Sequence, residues 1–416
     1  MATITKTMKL YLHTDAEADM AFAELTERYR QACNEASEYA FSHGMITNSN
    51  RLQSMLYGGI RERYGLKAQL TVSVFKTVTA RYKSIETQLK KTPYRFVCEG
   101  RKYSIRRNLT WLVKPVLFSR PQADLVRNRD YSFVSDPDGR HVISLNTLGK
   151  RIRVTFSLPE RYEEYFMNPE WSLGTGKLVS SKGKWYFHIP ATRENGKTFD
   201  PRAPRHVVGI DRGLRFLATL YDDDGRTAFI DGKEIMRRRD MFARQRAQLQ
   251  SRGTKSAKRA LKRLSQRENR WMTDVNHRIT KALVERYGPG TLFVLEDLSG
   301  VSFSERGLSS RNADGRRELR SWAFWQFEQM LSYKAQESGS GVIFISPEYT
   351  SQRCPKCGRI RKENRITQTH EYVCDCCGYR SNDDRAAAMN IQQLGTLYVS
   401  GDENPRYGAR RISGEK

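Results

Sequence analysis

Three segments define the core of the C-terminal half of this sequence, and they read Val207-Val-Gly-Ile-Asp-Arg-Gly213, Leu292-Phe-Val-Leu-Glu296 and Asp383-Asp-Arg-Ala-Ala-Ala-Met-Asn-Ile391. The first two contain short apolar runs followed at once by an acid, as expected of buried strands that reach the edge of a sheet. The third starts with two acids and continues with small and apolar residues at helical spacing. Each segment therefore carries a carboxylate where an apolar element begins or ends.

These carboxylates predict a metal site. Three acids that met at one sheet edge would repel one another unless a cation lay among them. Oxygen ligands suit Mg²⁺ or Mn²⁺, and two such ions roughly 4 Å apart activate a water and stabilise the leaving oxygen of a phosphodiester. We therefore predict that Asp211, Glu296 and Asp384 are catalytic ligands of two ions. Plainer alternatives stay open, with Asp211 as a turn residue before Gly213, Glu296 or Asp297 at the next turn, and Asp384 as a helix cap.

The apolar pattern also divides the chain. Residues 1–199 combine strand-like segments with a helical insertion at about 15–91. From residue 206 short apolar strands alternate with helices, which predicts a mixed α/β domain built on one sheet over residues 206–347. A cysteine-rich segment, a last helix and a flexible polar tail follow at residues 348–380, 381–395 and 396–416.

Two cysteine pairs predict a structural zinc ion. Each pair has the spacing Cys-x2-Cys, and sixteen residues lie between the two pairs. Four thiolates arranged in two short knuckles are typical ligands of one tetrahedral Zn²⁺ and leave no open position for water. The predicted ligands are Cys354, Cys357, Cys374 and Cys377. Two weaker alternatives stay open, in which Cys376 replaces Cys377 or His370 replaces one of the thiolates.

The charge balance indicates a polyanionic partner. The 416 residues include 72 Lys and Arg against 46 Asp and Glu, a formal net charge of +26. Folded proteins this basic usually bind nucleic acid, although a role of the excess charge in solubility alone stays open. The absence of a long apolar run predicts that no segment spans a membrane.

Residues 233–270 concentrate this charge, with fourteen Lys and Arg against three acids. Charge runs are often only the solvated face of a helix. Because so few acids balance the basic residues of this segment, we predict that residues 233–270 bind phosphate backbones. The predicted nucleic-acid contacts are Arg237, Arg238, Arg239, Arg244, Lys255, Lys258, Arg259, Lys262 and Arg263.

The order of these motifs resembles a known family. The three acidic segments look like the three motifs of the RuvC-type nuclease domain of transposon-encoded TnpB (OrfB), which miniature type V CRISPR effectors share. The stretch from Tyr349 to Gly358 and the second cysteine pair are similar to the zinc ribbon that this family inserts before its third motif. Counting back six residues from Asn390 selects Asp384 rather than Asp383 as the third acid. The chain departs from the family at Ala386, where an Asn is usual, and this departure leaves open whether activity is weaker.

The resemblance implies a multidomain α+β chain. Residues 1–199 would form a wedge β-barrel with a helical recognition insertion, and an RNase H-like (RuvC) α/β nuclease domain with an inserted zinc ribbon would follow. At a second departure, Arg212, the family often has an apolar residue. We expect Arg212 to face solvent rather than the scissile phosphate.

The function implied by the resemblance is that of an RNA-guided DNA endonuclease. A noncoding guide RNA and a short motif flanking the target would direct cleavage of double-stranded DNA, with the protein acting as a monomer or as a homodimer on one RNA. It would act in the cytoplasm of a prokaryote, at the nucleoid. Three alternatives stay open: a CRISPR effector that uses a CRISPR RNA, a guided repressor that binds without cutting, and a DNA transposase.

Overall fold

The computed structural model describes residues 3–91, 93–99, 101–135, 138–213, 216–298, 324–366 and 368–407. The chain divides into two compact units, one formed by Thr3–Glu194 and one that contains Asn195–Lys416. Within the described residues, no helix combines the length and the apolar character that crossing a membrane requires.

The N-terminal unit combines three long helices with a curled antiparallel sheet. Its elements are β1 (Thr3–His13), α1 (Ala16–Ser42), α2 (Ser49–Tyr64), α3 (Ala68–Lys91), β2 (Tyr94–Cys98), β3 (Arg101–Ile105), β4 (Gln122–Leu125), β5 (Tyr131–Ser135), β6 (His141–Leu145), β7 (Ile152–Ser157), α4 (Glu164–Met167), β8 (Ser172–Leu173), β9 (Gly176–Ser181) and β10 (Lys184–Glu194). The sheet has the order β4-β9-β10-β1-β7-β6-β5, with β8 added to β10, while β2 and β3 form a separate hairpin.

Side-chain alternation explains how this sheet curls round a core. On β1, Met8, Leu10 and Leu12 are fully buried and alternate with exposed or half-exposed neighbours. Tyr131 on β5 meets Phe187 on β10 edge to face, with ring centroids 4.9 Å apart, although three strands separate them in the sheet order. The sheet is therefore nearly closed, as far as the described strands show.

The C-terminal unit is a mixed α/β structure. Its elements are β11 (His206–Asp211), β12 (Phe216–Asp222), β13 (Thr227–Asp231), α5 (Lys233–Arg252), α6 (Lys255–Tyr287), β14 (Thr291–Glu296), α7 (Phe324–Ser338), β15 (Gly341–Ile345), β16 (Arg365–Ile366), β17 (Glu371–Val373), β18 (Arg380–Asn382) and α8 (Asp383–Val399). The main sheet has the order β13-β12-β11-β14-β15, and β11, β14 and β15 run parallel. The short strands β16 to β18 form a separate sheet.

Helices cover both faces of the main sheet. Val208, Ile210 and Phe293 pack with Leu283 of α6 and Leu331 of α7 on one face. On the other face, residues of β11, β14 and β15 pack with Ile391 and Leu394 of α8. Because alternate residues of a strand point to opposite faces, these short strands are apolar on both sides.

Glycines let α8 lie directly on the strands. A Cβ atom on Gly209 would stand 2.4 Å from the carbonyl oxygen of Ala388 and 2.4 Å from the backbone nitrogen of Gln392. A Cβ atom on Gly395 would stand 2.4 Å from a methyl group of Val294. Neither position has room for a larger residue, so the start of α8 is held at a set distance from the end of β11.

We predict that Gly209→Ala lowers the free energy of unfolding by about 1–3 kcal/mol, because the added methyl group meets rigid backbone atoms. The measurement is urea denaturation followed by circular dichroism. Gly149→Ala is the matched control, since no atom lies within 4 Å of the added methyl group there. Equal stability of the two variants would contradict the close packing of α8 on β11.

Candidate active site and cysteine cluster

Asp211 and Glu296 lie next to each other at one edge of the main sheet. Strands β11 and β14 are parallel, and Ile210 lies opposite Leu295. The residue that follows on each strand is an acid, and adjacent strands are about 4.8 Å apart. Both side chains therefore project from neighbouring positions at the carboxyl ends of the strands, where the sequence predicted them.

Asp384 reaches the same edge from the first turn of α8. The Asn382 side chain caps this helix, and its Oδ1 accepts a hydrogen bond from the backbone N–H of Arg385 at 3.0 Å. The Asp384 carboxylate has an oxygen 4.0 Å from the position that a Cβ atom on Gly213 would occupy. Since Gly213 lies just beyond the end of β11, Asp384 lies near the end of that strand. The group of possible carboxylate and histidine metal ligands whose atoms lie within 4.8 Å of one another consists of Asp383, Asp384 and His370 and, within the described residues, does not include Asp211 or Glu296.

The electrostatics of the cluster favour a cation. Burial raises the pKa of Asp211 well above its usual range, and the carboxylates of Glu296 and Asp384 raise it further. Burial also raises the pKa of Glu296, while a hydrogen bond from Thr350 lowers it. Such shifts arise when ionised acids crowd together away from water. A divalent cation removes this penalty, and a donor set of oxygen atoms fits the predicted Mg²⁺ or Mn²⁺.

A cation that the sequence analysis missed lies among these acids. Arg365, on β16, donates from Nε to the Oδ2 atom of Asp383 at 2.9 Å, and its Nη2 atom lies 3.5 Å from the Oδ1 atom of Asp384. The guanidinium charge also lowers the pKa of Asp211 and of Glu296 against the effect of burial. Nothing in the sequence distinguishes Arg365 from the other Lys and Arg, because only folding brings its acidic partners together.

The two adjacent acids of α8 have different surroundings. Asp383 is 1% exposed, accepts the backbone N–H of Asp384 at 3.0 Å and lies 3.6 Å from the Nδ1 atom of His370. Asp384 raises the pKa of Asp211 more than Asp383 does. Asp383 thus holds the cysteine-rich segment through Arg365, while Asp384 has the larger electrostatic effect on Asp211.

The expectation that Arg212 faces solvent is wrong. Its side chain is 1% exposed and forms an ion pair with Glu328 of α7, with Nη1 and Oε1 2.5 Å apart. Its Nη2 atom donates to the backbone carbonyl of Glu296 at 2.8 Å. A buried guanidinium needs such partners, and Glu328 lies too far along the chain for sequence spacing to reveal it. Arg212 therefore joins the end of β14 to α7.

The four predicted zinc ligands converge in the cysteine-rich segment. Their sulfur atoms lie within 4.8 Å of one another. Cys354 and Cys377 are 3.7 Å apart between Sγ atoms, and Cys357 and Cys374 are 3.5 Å apart. Four sulfurs that each lie about 2.3 Å from one tetrahedral ion are about 3.8 Å from one another. The cluster therefore fits a single Zn²⁺.

The surroundings of the four cysteines bear on the two alternative zinc ligands, Cys376 and His370. His370 lies beside Asp383 instead of among the thiolates, and the group of four sulfurs does not include Cys376. Ala386, where the family usually has Asn, packs with Cys354 and Tyr372 in a small apolar cluster. The departure at residue 386 therefore lies on the side of α8 that contacts the cysteine-rich segment.

Helices α5 and α6 carry the predicted basic surface. Eight of the nine predicted contacts are exposed. Five of them recur at helical spacing along one face of α6, which a phosphate backbone could follow. These five residues are Lys255, Lys258, Arg259, Lys262 and Arg263.

Arg239 is the one predicted contact that does not lie on this exposed surface. The residue is 6% exposed, and its Nη1 atom lies 3.9 Å from the sulfur of Met236. Other cations of this pair of helices also have partners within it, since Arg246 pairs with Glu268 and the guanidinium of Arg267 lies 5.5 Å from the centre of the Phe242 ring. The number of charges in a segment does not separate such packed cations from exposed ones.

We predict that the native protein contains about one zinc ion per chain and that Cys357→Ser loses it, because three thiolates no longer complete the tetrahedral site. Inductively coupled plasma mass spectrometry measures the zinc content. Cys376→Ser is the matched control, since it removes a neighbouring exposed thiol that lies outside the group of four. Zinc loss from the control alone would show that the ligands are assigned wrongly.

Two family models match parts of the C-terminal unit. Residues 191–299 match a model described as a probable transposase, OrfB_IS605. Residues 324–391 match the model of the Cas12f1-like TNB domain. The first match contains Asp211 and Glu296, and the second contains the four cysteines and Asp384.

Curated relatives align with about half of the chain. A putative RNA-guided DNA endonuclease, InsQ of Escherichia coli K12, is 31% identical over 245 residues, which are 56% of this chain and 59% of that protein. The CRISPR-associated endodeoxyribonuclease Cas12f1 of Syntrophomonas palmitatica is 31% identical over 236 residues, which are 53% of this chain and 44% of the relative. The chain thus spans about half the length of these relatives.

Solved structures extend the likeness of the fold to most of the chain. A cryo-EM structure of a Cas12f1–sgRNA–target DNA complex superposes with a TM-score of 0.62 at 14% identity and covers 94% of this chain and 99% of that chain. CasPhi-2 (Cas12j) bound to crRNA and phosphorothioate DNA superposes with a TM-score of 0.53 at 12% identity, covering 97% and 92% of the two chains. At these identities the likeness concerns the fold alone. The two family models and the curated relatives confirm the resemblance of the motifs: the chain is similar in sequence to proteins of the TnpB (OrfB) kind and to the miniature type V effector Cas12f1.

Proposed function

We propose that the protein is an RNA-guided DNA endonuclease that hydrolyses phosphodiester bonds with divalent metal ions. The observation that carries this proposal is that Asp211 and Glu296 end neighbouring parallel strands, and that burial and the carboxylates of Glu296 and Asp384 raise the pKa of Asp211. The names of the relatives, an RNA-guided DNA endonuclease and a CRISPR-associated endodeoxyribonuclease, support it. The proposed roles of the three residues are those of metal ligands.

The chain's own residues prepare this site. Asp211, Glu296 and Asp384 would hold two Mg²⁺ or Mn²⁺ ions, which when bound supply an activated water and stabilise the leaving oxygen. The parallel strands place two of these acids in fixed positions, and the capped first turn of α8 places the third. Arg365 adds a positive charge beside the carboxylates, and Arg212 anchors the backbone carbonyl of Glu296.

The domain roles follow from the same proposal. Residues 206–347 and 381–395 would form the RuvC-like nuclease domain, interrupted by a zinc ribbon at residues 348–380. Residues 1–199, with their nearly closed sheet and three long helices, would hold guide RNA and target duplex. Base pairing would then select the sequence, while the protein reads a short flanking motif and the shape of the backbone.

Two alternatives have some support in particular observations. The matching family model described as a probable transposase favours a strand-transferring enzyme. A strand-transfer assay with DNA that carries transposon ends distinguishes the two, because joined products would support the transposase. Relatives of both the TnpB and the Cas12f1 kind leave the source of the guide open between a transposon transcript and a CRISPR RNA. No observation favours a guided repressor without cleavage, since such a protein would not need the three acids, and all three are present.

We predict that Asp211→Ala and Asp384→Ala each reduce DNA cleavage by about 10³-fold or more, because each removes a ligand whose ions supply several kcal/mol of transition-state stabilisation. Nucleic-acid binding should stay within a few fold of the native protein. The measurement is cleavage of a labelled duplex by the protein together with the RNA that copurifies with it.

Glu403→Gln is the control, since it removes an exposed acid of the same unit. Retained cleavage by both alanine variants would refute the site. Sequencing the copurified RNA tests guidance separately, because one discrete noncoding species supports the proposal and random fragments contradict it.

We predict that replacing Lys255, Lys258 and Lys262 together by Gln weakens DNA binding and makes it less sensitive to salt. Each phosphate that the variant no longer neutralises should reduce the slope of log K against log salt by about 0.9, so the total change is at most about 2.7. Fluorescence anisotropy of a labelled duplex at several salt concentrations measures the slope. The matched control replaces the same lysines by Arg and keeps the charge. An unchanged slope in the Gln variant would place the phosphate-binding residues elsewhere.

A further inference from the structure

The turn between β15 and the first cysteine has an unusual backbone. Tyr349 has a φ angle of 62°, in the left-handed region of backbone conformation that residues other than glycine rarely adopt. Its carbonyl oxygen accepts hydrogen bonds from the backbone N–H groups of Gln352 and Arg353, both at 3.0 Å. Strained residues of this kind persist where the surroundings hold them, and they often occur at functional sites. The turn therefore presents the next side chain, Thr350, in one orientation.

Thr350 directs its hydroxyl group at the acid cluster. The residue is 1% exposed, and its hydroxyl donates a hydrogen bond to the Oε1 atom of Glu296. The carbonyl of Pro347, at 3.0 Å, is a second acceptor near the same oxygen. A hydroxyl group has one proton, and an ionised carboxylate is the stronger acceptor. Thr350 thus limits the rotation of the Glu296 carboxylate and leaves its second oxygen available.

Asn390 fixes the turn to α8. Its Nδ2 atom donates to the carbonyl oxygens of Thr350 at 2.8 Å and of Arg353 at 2.7 Å, and its Oδ1 atom accepts from the Nη1 atom of Arg353 at 3.1 Å. Asn390 is fully buried. The helix that carries Asp384 in its first turn therefore also holds the turn that touches Glu296.

These contacts join the cysteine cluster to the acids. Cys354 directly follows Arg353 and is fully buried. The chain thus passes within four residues from a hydroxyl group on Glu296 to a sulfur atom of the cluster. Such outer partners of a metal-binding carboxylate set its orientation, and their loss typically lowers metal affinity or activity 10- to 100-fold.

We propose that Thr350 is a positioning residue for Glu296 and that the turn at residues 347–353, held by Asn390, sets the geometry of the metal site from the cysteine-rich segment. This inference rests on the proposed function, because it takes Glu296 to be a metal ligand. Neither Thr350 nor Asn390 is itself a ligand of the metal ions. Thr350 acts through the Glu296 carboxylate, and Asn390 acts through the backbone of the turn.

The test compares Thr350→Val, which keeps the shape of the side chain and removes the hydroxyl group, with Thr350→Ser, which keeps the hydroxyl group. Binding of Mn²⁺ to the full-length protein is followed by electron paramagnetic resonance, a readout that needs neither guide nor cleavage. We expect the Kd for Mn²⁺ at the acid site to rise about 10- to 100-fold in Thr350→Val and to stay within about threefold of native in Thr350→Ser. The zinc content should be the same in both variants.

Thr26→Val is the matched control, because Thr26 is another fully buried threonine whose hydroxyl donates only to helix carbonyls, such as that of Phe22 at 2.8 Å. Its Mn²⁺ binding should equal that of the native protein. Thr350→Ala, which also lacks the hydroxyl group, replaces Thr350→Val if the latter does not fold, as judged by circular dichroism.

The outcomes separate this inference from the proposed function. If Asp211→Ala binds Mn²⁺ as tightly as the native protein, the acid site itself is wrong. If Asp211→Ala loses binding while the variants that lack the Thr350 hydroxyl bind as tightly as native, the positioning role is overturned. A Ser variant as weak as the Val variant also overturns it, since the hydroxyl group would then not be what matters.

Discussion

The close packing of α8 against the central strands is the feature that organises the C-terminal unit. Gly209 and Gly395 allow helix backbone and strand side chains to approach at distances that any Cβ atom would prevent. This packing buries the apolar faces of β11 and β14 against Ile391 and Leu394. It also sets the position of the first turn of α8, and with it that of Asp384. A carboxylate far along the sequence is thereby carried to the edge where Asp211 and Glu296 end their strands.

The acid cluster is electrostatically unfavourable by itself, and the fold compensates for it in several ways. Backbone hydrogen bonds of the parallel strands hold Asp211 and Glu296 in place. Burial and the repulsion between their carboxylates both raise the pKa of Asp211. Arg365 places a guanidinium beside Asp383 and Asp384, and Arg212, which pairs with Glu328, donates a hydrogen bond to the backbone carbonyl of Glu296. Crowded carboxylates of this kind bind divalent cations because the ion relieves the repulsion that the fold imposes.

The insertion of the cysteine-rich segment between β15 and α8 has a physical consequence for this site. The segment brings Arg365 to Asp383 and Asp384, and it brings Thr350 to Glu296. Asn390 ties its first turn to α8, and Ala386 packs against Cys354 and Tyr372. A metal ion in the cysteine cluster would stabilise the scaffold that supports these contacts, at a distance from the chemistry itself.

Local patterns in the sequence were enough to predict the three N-terminal helices, the acids at the ends of two strands and the spacing of the four cysteines. Asp211 and Glu296 follow short apolar runs, the four cysteines have ligand spacing, and the helical periodicity at residues 15–91 matches α1 to α3. A single segment is enough to show such a pattern, because the spacing of neighbouring residues produces it. The burial and the partners of individual cations, in contrast, depend on segments that are distant in sequence. Arg212, Arg239 and Arg365 look like the other basic residues, yet each is held by partners or packing that the chain brings to it only on folding. The same holds for Thr350, because its contact with Glu296 joins two segments, distant in sequence, that the parallel pairing of β14 with β15 brings together.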